Sequence, residues 1–106
     1  MSIFNLFRGS NINEHLKTYQ QTEGAILLDV RTPEEYRSGR IPNSKNIPVE
    51  NISTISSTIP NKDTPLFVYC LSGARSHQAC LYLKNNGYTK VTNIGGINSY
   101  NGSIER

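Results

Sequence analysis

The chain has 106 residues, 36% of them hydrophobic and 18% charged, which fits one compact domain with a small core and leaves no room for a second domain. Eleven basic residues against eight acidic ones give a formal net charge of +3, and their scattered placement argues against nucleic-acid binding. No apolar run is long enough to span a membrane, so a membrane protein is not expected.

The cysteines and the first residues bear on metal binding and on cellular compartment. The chain has two cysteines, Cys70 and Cys80, and two histidines. These are a poor set of ligands for zinc, which needs about four with close pairs, and two cysteines are a poor disulfide framework. Residues 1–10 are predicted as an N-terminal arm that lacks the basic leader, long apolar stretch and cleavage site of a signal peptide. We therefore expect a cytoplasmic protein with free thiols and no bound metal.

The first part of the chain predicts a helix, a strand and a second helix. A polar segment over 12–21 follows Ser and Asn side chains that suit a helix cap. The continuous apolar run over 25–30 is typical of a strand buried on both faces of a parallel sheet. Thr32, followed by a proline and then by Glu35 three residues after the cap, predicts a helix that ends at Gly39.

The second part predicts three more strands and three helical segments. In chain order these are a strand around 45–47, a helical stretch near 50–58, a strand over 65–70, a helix over 77–86 that ends at Gly87, a strand over 90–94 and a small terminal helix. Alternating strands and helices indicate an α/β fold with a mainly parallel sheet. Ligands of such sheets lie beyond the carboxyl ends of the strands. Asp29 and Cys70 stand at two such ends, so we expect the functional site at this edge of the sheet.

Cys70 ends a predicted buried strand and opens a loop that leads into a helix. Gly73 and its small neighbours let the backbone curl tightly, so that successive N–H groups and the positive end of the helix form an anion-binding nest. A thiolate in such a nest is stabilised, its pKa falls and it becomes nucleophilic at neutral pH. A persulfide anion would be stabilised in the same way. The alternative is that Cys70 is a small buried core residue.

Four blocks of the sequence resemble the rhodanese family, in the family's order and spacing. Residues 70–76 (CLSGARS) match its active-site pattern C-x-x-G-x-R-S. Residues 28–36 (LDVRTPEEY) resemble its early signature, and residues 39–48 (GRIPNSKNIP) resemble the continuation. Residues 87–88 (GY) and 93–97 (NIGGI) resemble its final strand and helix. Together the blocks cover about residues 25–100, which is stronger evidence than a cysteine loop alone.

The resemblance implies a fold and an activity. The fold is a single rhodanese-like domain over 1–106, with a mainly parallel five-stranded sheet flanked by helices. The activity is that of a thiosulfate sulfurtransferase, which moves the sulfane sulfur of thiosulfate or a similar donor to a thiophilic acceptor through a persulfide on Cys70. The implied partners are a small anionic sulfur donor, a thiol or cyanide as acceptor, and a sulfur-acceptor protein. No cofactor is required.

The resemblance also assigns a loop that would hold the substrate and the persulfide: Leu71, Ser72, Gly73, Ala74, Arg75 and Ser76. Arg75 either binds an anion or braces the loop by pairing with Asp29 or Glu35. Arg31 and Arg40 are candidates for a cationic rim that attracts a dianionic donor, and solvated surface arginines are the ordinary alternative.

Other positions allow more than one interpretation. The Ser76 hydroxyl is expected to point toward the sulfur, to cap the following helix, or both. Cys80 falls among apolar residues of that helix, so we expect core packing rather than a resolving thiol. Arg40 stands where many family members have His, Asn43 where many have Gly, and Tyr100 where many have Trp. These differences leave the cysteine loop intact and bear on substrate choice.

Two other classes of protein use the same fold. Cysteine-dependent phosphatases of the cell-cycle dual-specificity or arsenate-reducing kind place five residues between the cysteine and the arginine of the loop, which accommodates a tetrahedral phosphate. Four residues separate Cys70 from Arg75, which favours a single sulfur atom. Protein-interaction modules on this fold usually lack the cysteine, which this chain keeps. A sulfur-relay role, in which the persulfide passes to a partner protein, stays open.

Overall fold

The computed structural model describes residues 11–106, so the predicted arm over 1–10 lies outside the described residues. The elements in chain order are α1 (Ile12–Gln20), β1 (Ile26–Asp29), α2 (Pro33–Ser38), β2 (Lys45–Asn46), a 3₁₀ segment (Val49–Thr54), α3 (Ile55–Thr58), β3 (Leu66–Cys70), α4 (Ala74–Asn85), β4 (Val91–Gly96) and a last 3₁₀ turn (Ile97–Ser99). No helix among residues 11–106 is long and apolar enough to cross a bilayer. That the whole chain forms one domain stays a prediction.

The strands form one parallel sheet in the order β2-β1-β3-β4. The predicted parallel α/β fold is therefore confirmed, but the five strands implied by the resemblance are wrong for residues 11–106, where the sheet has four. The apolar runs of the sequence themselves predict only four strands. The polar segment that precedes β1 forms the helix α1.

The sheet separates two apolar layers, and β3 contributes to both. On one face α4, α3 and the first 3₁₀ segment cover Val68 and Cys70. On the other face α1 packs Leu16 against Phe67 and Tyr69. Successive side chains of a strand point to opposite faces, so all five residues of β3 are buried. Because both faces of β3 are buried, its sequence is a continuous apolar run, and this run is what predicts the strand.

The start of α2 follows the predicted capping pattern. The Thr32 hydroxyl accepts a hydrogen bond from the Glu35 amide at 3.2 Å, and the Glu35 carboxylate accepts one from the Thr32 amide at 2.9 Å. The two contacts satisfy amides that the first helical turn leaves without partners. The helix ends at Ser38, with Gly39 as its C-cap, as predicted.

Helix α4 ends one residue earlier and begins three residues earlier than predicted. At its C-terminal end Gly87 has φ +95°, and the Gly87 and Tyr88 amides donate to the carbonyls of Lys84 and Leu83 at 3.2 and 3.0 Å, the pattern of a glycine-terminated helix. At the N-terminal end Gly73 is the N-cap with φ +110°, and the helix begins at the next residue, Ala74. Only three residues then separate Cys70 from α4, which holds the loop close to the sulfur.

A β-bulge interrupts the pairing of β3 with β4 next to the predicted site. Val68 pairs with Asn93 and Tyr69 pairs with Gly95, so that Ile94 has no partner in the register. The strand then continues to Gly96, two residues further than predicted. A bulge bends its strand and redirects the side chains beside it, and here those residues adjoin the cysteine loop.

Candidate active site

Cys70 occupies the carboxyl end of β3, an interior strand, and is only 1% exposed. Asp29 ends the neighbouring strand and pairs with Tyr69, so the two predicted strand ends do meet at one edge of the sheet. The chain after Cys70 turns over the sulfur and enters α4 at Ala74. A substrate therefore has to reach the sulfur through the mouth of this short loop.

The loop directs hydrogen-bond donors at the sulfur of Cys70. The amide nitrogens of Gly73 and Ser76 lie 3.0 and 3.3 Å from Sγ, and the Ser76 hydroxyl oxygen lies 3.5 Å from it. Burial raises the pKa of Cys70, but hydrogen bonds from the Ser76 hydroxyl and from the amides of Ser76, Gly73 and Ser72 outweigh it, so the pKa is lowered. The N-terminal end of α4 adds a partial positive charge at the same place. The arrangement favours a nucleophilic thiolate.

The shape of the loop depends on glycines in two segments. Gly73 has φ +110°, a conformation that side chains disfavour, and a Cβ there would lie 3.7 Å from the Gly95 backbone. A Cβ on Gly96 would overlap the Leu71 carbonyl oxygen and the Ser72 Cα. The end of β4 thus supports the loop by direct backbone contact. Sequence reasoning missed this role of Gly96, although the Gly95-Gly96 pair stands in one of the family blocks.

Arg75 is bound to one of the two carboxylates predicted as its partners. Its guanidinium contacts the two carboxylate oxygens of Glu35 at 2.8 and 3.1 Å, a two-pronged pairing that fixes geometry. The hydrogen bond from Arg75 is the main cause that lowers the pKa of Glu35 to about 2, against a smaller opposing effect of burial. Glu35 also caps α2 through Thr32. This pairing ties α2 to the first turn of α4, which fits the predicted bracing.

Arg31 lies in the interior, so its predicted place on a cationic rim is wrong. Its side chain is 5% exposed and its guanidinium contacts the fully buried Asp29 carboxylate at 2.7 Å. The same guanidinium donates to the Gly39 carbonyl at 2.7 Å. A guanidinium enclosed in this way cannot meet a dianion arriving from solvent. Asp29 and Arg31 instead join the end of β1 to the end of α2.

Arg40 is partly exposed and already has partners. Its Nε lies 3.6 Å from a carboxylate oxygen of Glu105, and its guanidinium lies 4.8 Å from the centre of the Tyr36 ring. Backbone hydrogen bonds of 2.8 and 2.9 Å pair Arg40 with Glu105 as well. The side chain is 22% exposed, so its predicted role in attracting a donor stays a prediction.

Ser76 lies inside α4, and its hydroxyl is part of a buried polar group. The N-cap of α4 is Gly73, so the predicted capping role of Ser76 is wrong, because the helix starts earlier than expected. The hydroxyl oxygen of Ser76 lies 2.7 Å from Oδ1 of Asn93 on β4. Sequence reasoning missed Asn93 because its contact with α4 depends on the bulge in β4.

The surroundings of Cys80 differ from those of Cys70. It is 4% exposed and packs among apolar side chains of the layer that also contains Cys70. Burial raises the pKa of Cys80 to about 11, as expected for a packing residue. Both cysteines are free thiols. Among residues 11–106 no group of three His, Cys, Asp or Glu side chains could hold a metal ion.

The comparison with protein families agrees with this geometry. The profile of the Rhodanese-like domain family matches residues 13–103. A solved rhodanese structure from E. coli that contains anions is 32% identical, with a TM-score of 0.72, over 77% of this chain and 98% of that one.

The names of similar proteins include two kinds of activity. A sulfurtransferase of Allochromatium vinosum is 48% identical over 72% of this chain and 71% of its own. The thiosulfate sulfurtransferase PspE of Escherichia coli is 38% identical over 66% of this chain and 68% of its own. A tRNA uridine(34) hydroxylase of E. coli is 30% identical over 90% of this chain, a match that spans 30% of the hydroxylase.

Proposed function

This chain belongs to the rhodanese-like domain family, and on that premise we propose that it is a sulfurtransferase that carries sulfur as a persulfide on Cys70. The observation that supports this most is the pair of amides, from Gly73 and Ser76, at 3.0 and 3.3 Å from Sγ. Amides at this distance stabilise a thiolate before transfer and a sulfur anion afterwards. Relatives with sulfurtransferase names support the same conclusion.

The proposed reaction has two displacements at sulfur. The Cys70 thiolate attacks the outer sulfur of thiosulfate and forms an S–S bond, while the original S–S bond breaks and sulfite leaves with its electron pair. The Cys70 persulfide anion is then attacked at its outer sulfur by cyanide, which forms thiocyanate and returns the thiolate. A thiol acceptor would take the same sulfur and become a persulfide. Charge and atoms balance in each step, and no cofactor takes part.

Thiosulfate is the donor that we propose, since PspE bears that name and the site suits an anion. The positive end of α4 faces the sulfur, and Arg75 at the first turn of that helix remains 32% exposed despite its pairing with Glu35. Arg40 is the further candidate for attracting the donor. A cytoplasmic location belongs to the same proposal and fits the two free thiols.

Loop size is the reason to propose sulfur transfer over phosphate hydrolysis. Cys70 is 1% exposed, and the amides of Gly73 and Ser76 close tightly around Sγ at 3.0 and 3.3 Å. A phosphate ester has to bring a tetrahedral centre with three outer oxygens to in-line contact with the thiolate. The four-residue spacing between Cys70 and Arg75 leaves little room for it.

The acceptor could also be a protein, and one contact surface fits that relay role. Leu71 is 39% exposed directly after Cys70, one of three large apolar side chains that are exposed among residues 11–106. An apolar side chain at the mouth of the loop suits contact with a partner that brings a thiol to the persulfide. The chemistry at Cys70 is the same in either case.

Mass spectrometry of the intact protein after thiosulfate treatment tests the proposal. We expect one added sulfur, about 32 Da, that maps to Cys70 and is removed by cyanide. Cys70→Ser should not take up sulfur, whereas Cys80→Ser, the matched control, should load normally. Sulfur that maps to Cys80, or no uptake from thiosulfate, would contradict the proposal.

A further inference from the structure

The hydroxyl of Ser76 has one proton and three neighbouring polar atoms, of which the Cys70 sulfur donates to Ser76 Oγ as a thiol and accepts from it once ionised. Ser76 is fully buried, so water does not compete for this proton. The hydroxyl oxygen lies 2.7 Å from Oδ1 of Asn93, 3.0 Å from the carbonyl oxygen of Gly73 and 3.5 Å from Sγ of Cys70. An ionised sulfur is a strong acceptor, whereas a thiol is a weak one. The charge of the sulfur therefore decides where the proton goes.

The side chain of Asn93 is held with its oxygen toward Ser76. Its Oδ1 accepts a hydrogen bond from the Gly95 amide at 3.0 Å, and its Nδ2 lies 3.4 Å from the Gly73 carbonyl oxygen. The reversed amide would set a donor against the Gly95 N–H and an oxygen against the Gly73 carbonyl, so neighbouring backbone groups fix the orientation. Asn93 adjoins the bulge at Ile94, which brings it beside the first turn of α4.

We propose that Asn93 is a positioning residue that holds the Ser76 hydroxyl proton away from Cys70 while the cysteine is a thiol and releases it to the sulfur when the sulfur becomes an anion. In the thiol form the Ser76 O–H donates to Asn93 Oδ1. When the thiol proton leaves to solvent, rotation about the Cβ–Oγ bond of Ser76 turns the O–H toward Sγ. No covalent bond other than S–H changes.

Asn93 thereby limits how strongly the site stabilises the thiolate. The sulfur anion gains the hydroxyl only when Asn93 gives up that proton, so the two contacts compete. Without the competition the thiolate would be more stable and less nucleophilic, because nucleophilicity falls as the pKa of a thiol falls. The consequence for sulfur transfer rests on the proposed function, whereas the competition for the Ser76 proton is independent of it.

Other ionisable groups near Cys70 also act on its pKa, so their charge states have to be known. Arg75 is paired with Glu35, whose pKa of about 2 keeps it charged above acidic pH. On β1 the buried Asp29 is paired with Arg31. On α4, Cys80 faces the same layer with a pKa of about 11 and is neutral near pH 7.

Two exposed groups on neighbouring elements remain. His77 lies on the outer side of α4, and Glu50 lies on the first 3₁₀ segment. Both side chains are exposed, so water screens their charges from the buried Ser76. Titrating the variants in a His77→Gln background removes the only histidine next to the loop.

The test measures the pKa of Cys70 from the pH dependence of alkylation by iodoacetamide, with the modified cysteine located by mass spectrometry. Asn93→Leu removes the acceptor at similar volume and should lower the pKa of Cys70 by about one, a tenfold change in thiolate stability. In a Ser76→Ala background Asn93→Leu should leave the pKa unchanged, because no hydroxyl proton is left to redirect. Thr92→Val is the matched control, since Thr92 pairs with Phe67 and faces the opposite layer.

A pKa that stays the same or rises in Asn93→Leu, or that falls equally in the Ser76→Ala background, would overturn the proposal. Failure of thiosulfate loading with this pattern intact would count against the sulfurtransferase function alone. Wild-type NMR decides the matter if Asn93→Leu does not fold. The Asn93 side-chain amide and the Gly95 N–H should shift with the same midpoint as Cys70, and in Ser76→Ala they should not shift. Constant resonances in the wild type would overturn the proposal.

Discussion

The two cysteines show how one core can lower the pKa of one thiol and raise the pKa of another. Cys70 and Cys80 are 1% and 4% exposed and belong to the same apolar layer. Burial opposes ionisation of both. The pKa of Cys80 is nevertheless raised to about 11, while the pKa of Cys70 is lowered. Burial alone therefore does not decide the behaviour of a cysteine in this fold.

The difference comes from the backbone around each sulfur. Cys80 lies in the middle of α4, where the amides already donate to carbonyls one turn earlier. Cys70 ends a strand, and the amides of Gly73 and Ser76 in the next turn donate to its sulfur. The Ser76 hydroxyl and the amides that converge on the sulfur of Cys70 together outweigh its desolvation. The predictions below test this comparison by making Cys70 more like Cys80.

The largest effect is expected from Gly96→Ala. The added Cβ would overlap the Leu71 carbonyl and Ser72 Cα, which pushes the loop and its amides away from the sulfur. The pKa of Cys70 should rise toward that of Cys80, and the rate of sulfur loading should fall about 100-fold, as for the loss of anion-stabilising donors. Cys80 should keep its low reactivity, which serves as an internal control. Unchanged loading kinetics would mean that β4 does not support the loop.

A smaller effect is expected from Ser76→Ala, which removes one donor and leaves the amides. The pKa of Cys70 should rise by about one, because a hydrogen bond to a charged group is lost. Loading measured at pH 7 should slow accordingly. Ser72→Ala is the control, since Ser72 is exposed and acts through its amide only. Equal effects of both substitutions would contradict a role for the Ser76 hydroxyl.

Glu35→Gln tests the brace between α2 and α4 through stability rather than rate. The pKa of Glu35 is lowered from 4.5 to about 2, so the folded protein binds fewer protons than the unfolded chain in this interval. Stability from the ion pair is thus complete above about pH 4.5 and is lost as the pH falls toward 2. Urea unfolding of Glu35→Gln should show a weaker decline between pH 5 and 3 than the wild type.

Glu34→Gln is the matched control for this brace. Glu34 is 78% exposed, and its distance to Arg37 is 3.9 Å, so its removal should leave the pH dependence of unfolding unchanged. If the two variants behave alike, the pairing of Glu35 with Arg75 does not stabilise the fold.

The smallest effect is expected from Arg40→Ala. Loss of a partly exposed charge should raise the KM for thiosulfate about twofold to threefold at low salt, and the difference should vanish at high salt because of screening. Arg37→Ala provides the comparison, since Arg37 is 68% exposed and carries the same charge. Identical KM changes in both variants would assign the effect to net charge rather than to a rim at Arg40.

The parts of the site that the sequence predicts are those set by local spacing. The cap at Thr32, the helix end at Gly87 and the loop after Cys70 each depend on residues a few positions apart. Contacts between distant segments were not predictable in the same way. Asn93 and Gly96 reach the loop only because of the register of β4, which a bulge shifts by one residue.

The arginines show the same limit. The sequence spacing places Arg31 next to a strand end. It does not predict that the side chain folds back inside the protein and binds Asp29, two residues earlier. The pairing of Arg75 with Glu35 spans 40 residues, and only the family resemblance suggested it. The fifth strand also came from the resemblance and has no counterpart among residues 11–106.

The most direct test of the central claim is the pH dependence of alkylation at both cysteines of the wild-type protein, resolved by mass spectrometry. The account predicts that Cys70 reacts with a pKa below the value of about 8.5 for a free cysteine, while Cys80 stays unreactive through neutral pH and reacts only after unfolding. Cys70 with a pKa at or above that value, or Cys80 reacting first, would contradict the claim that the loop amides reverse the effect of burial.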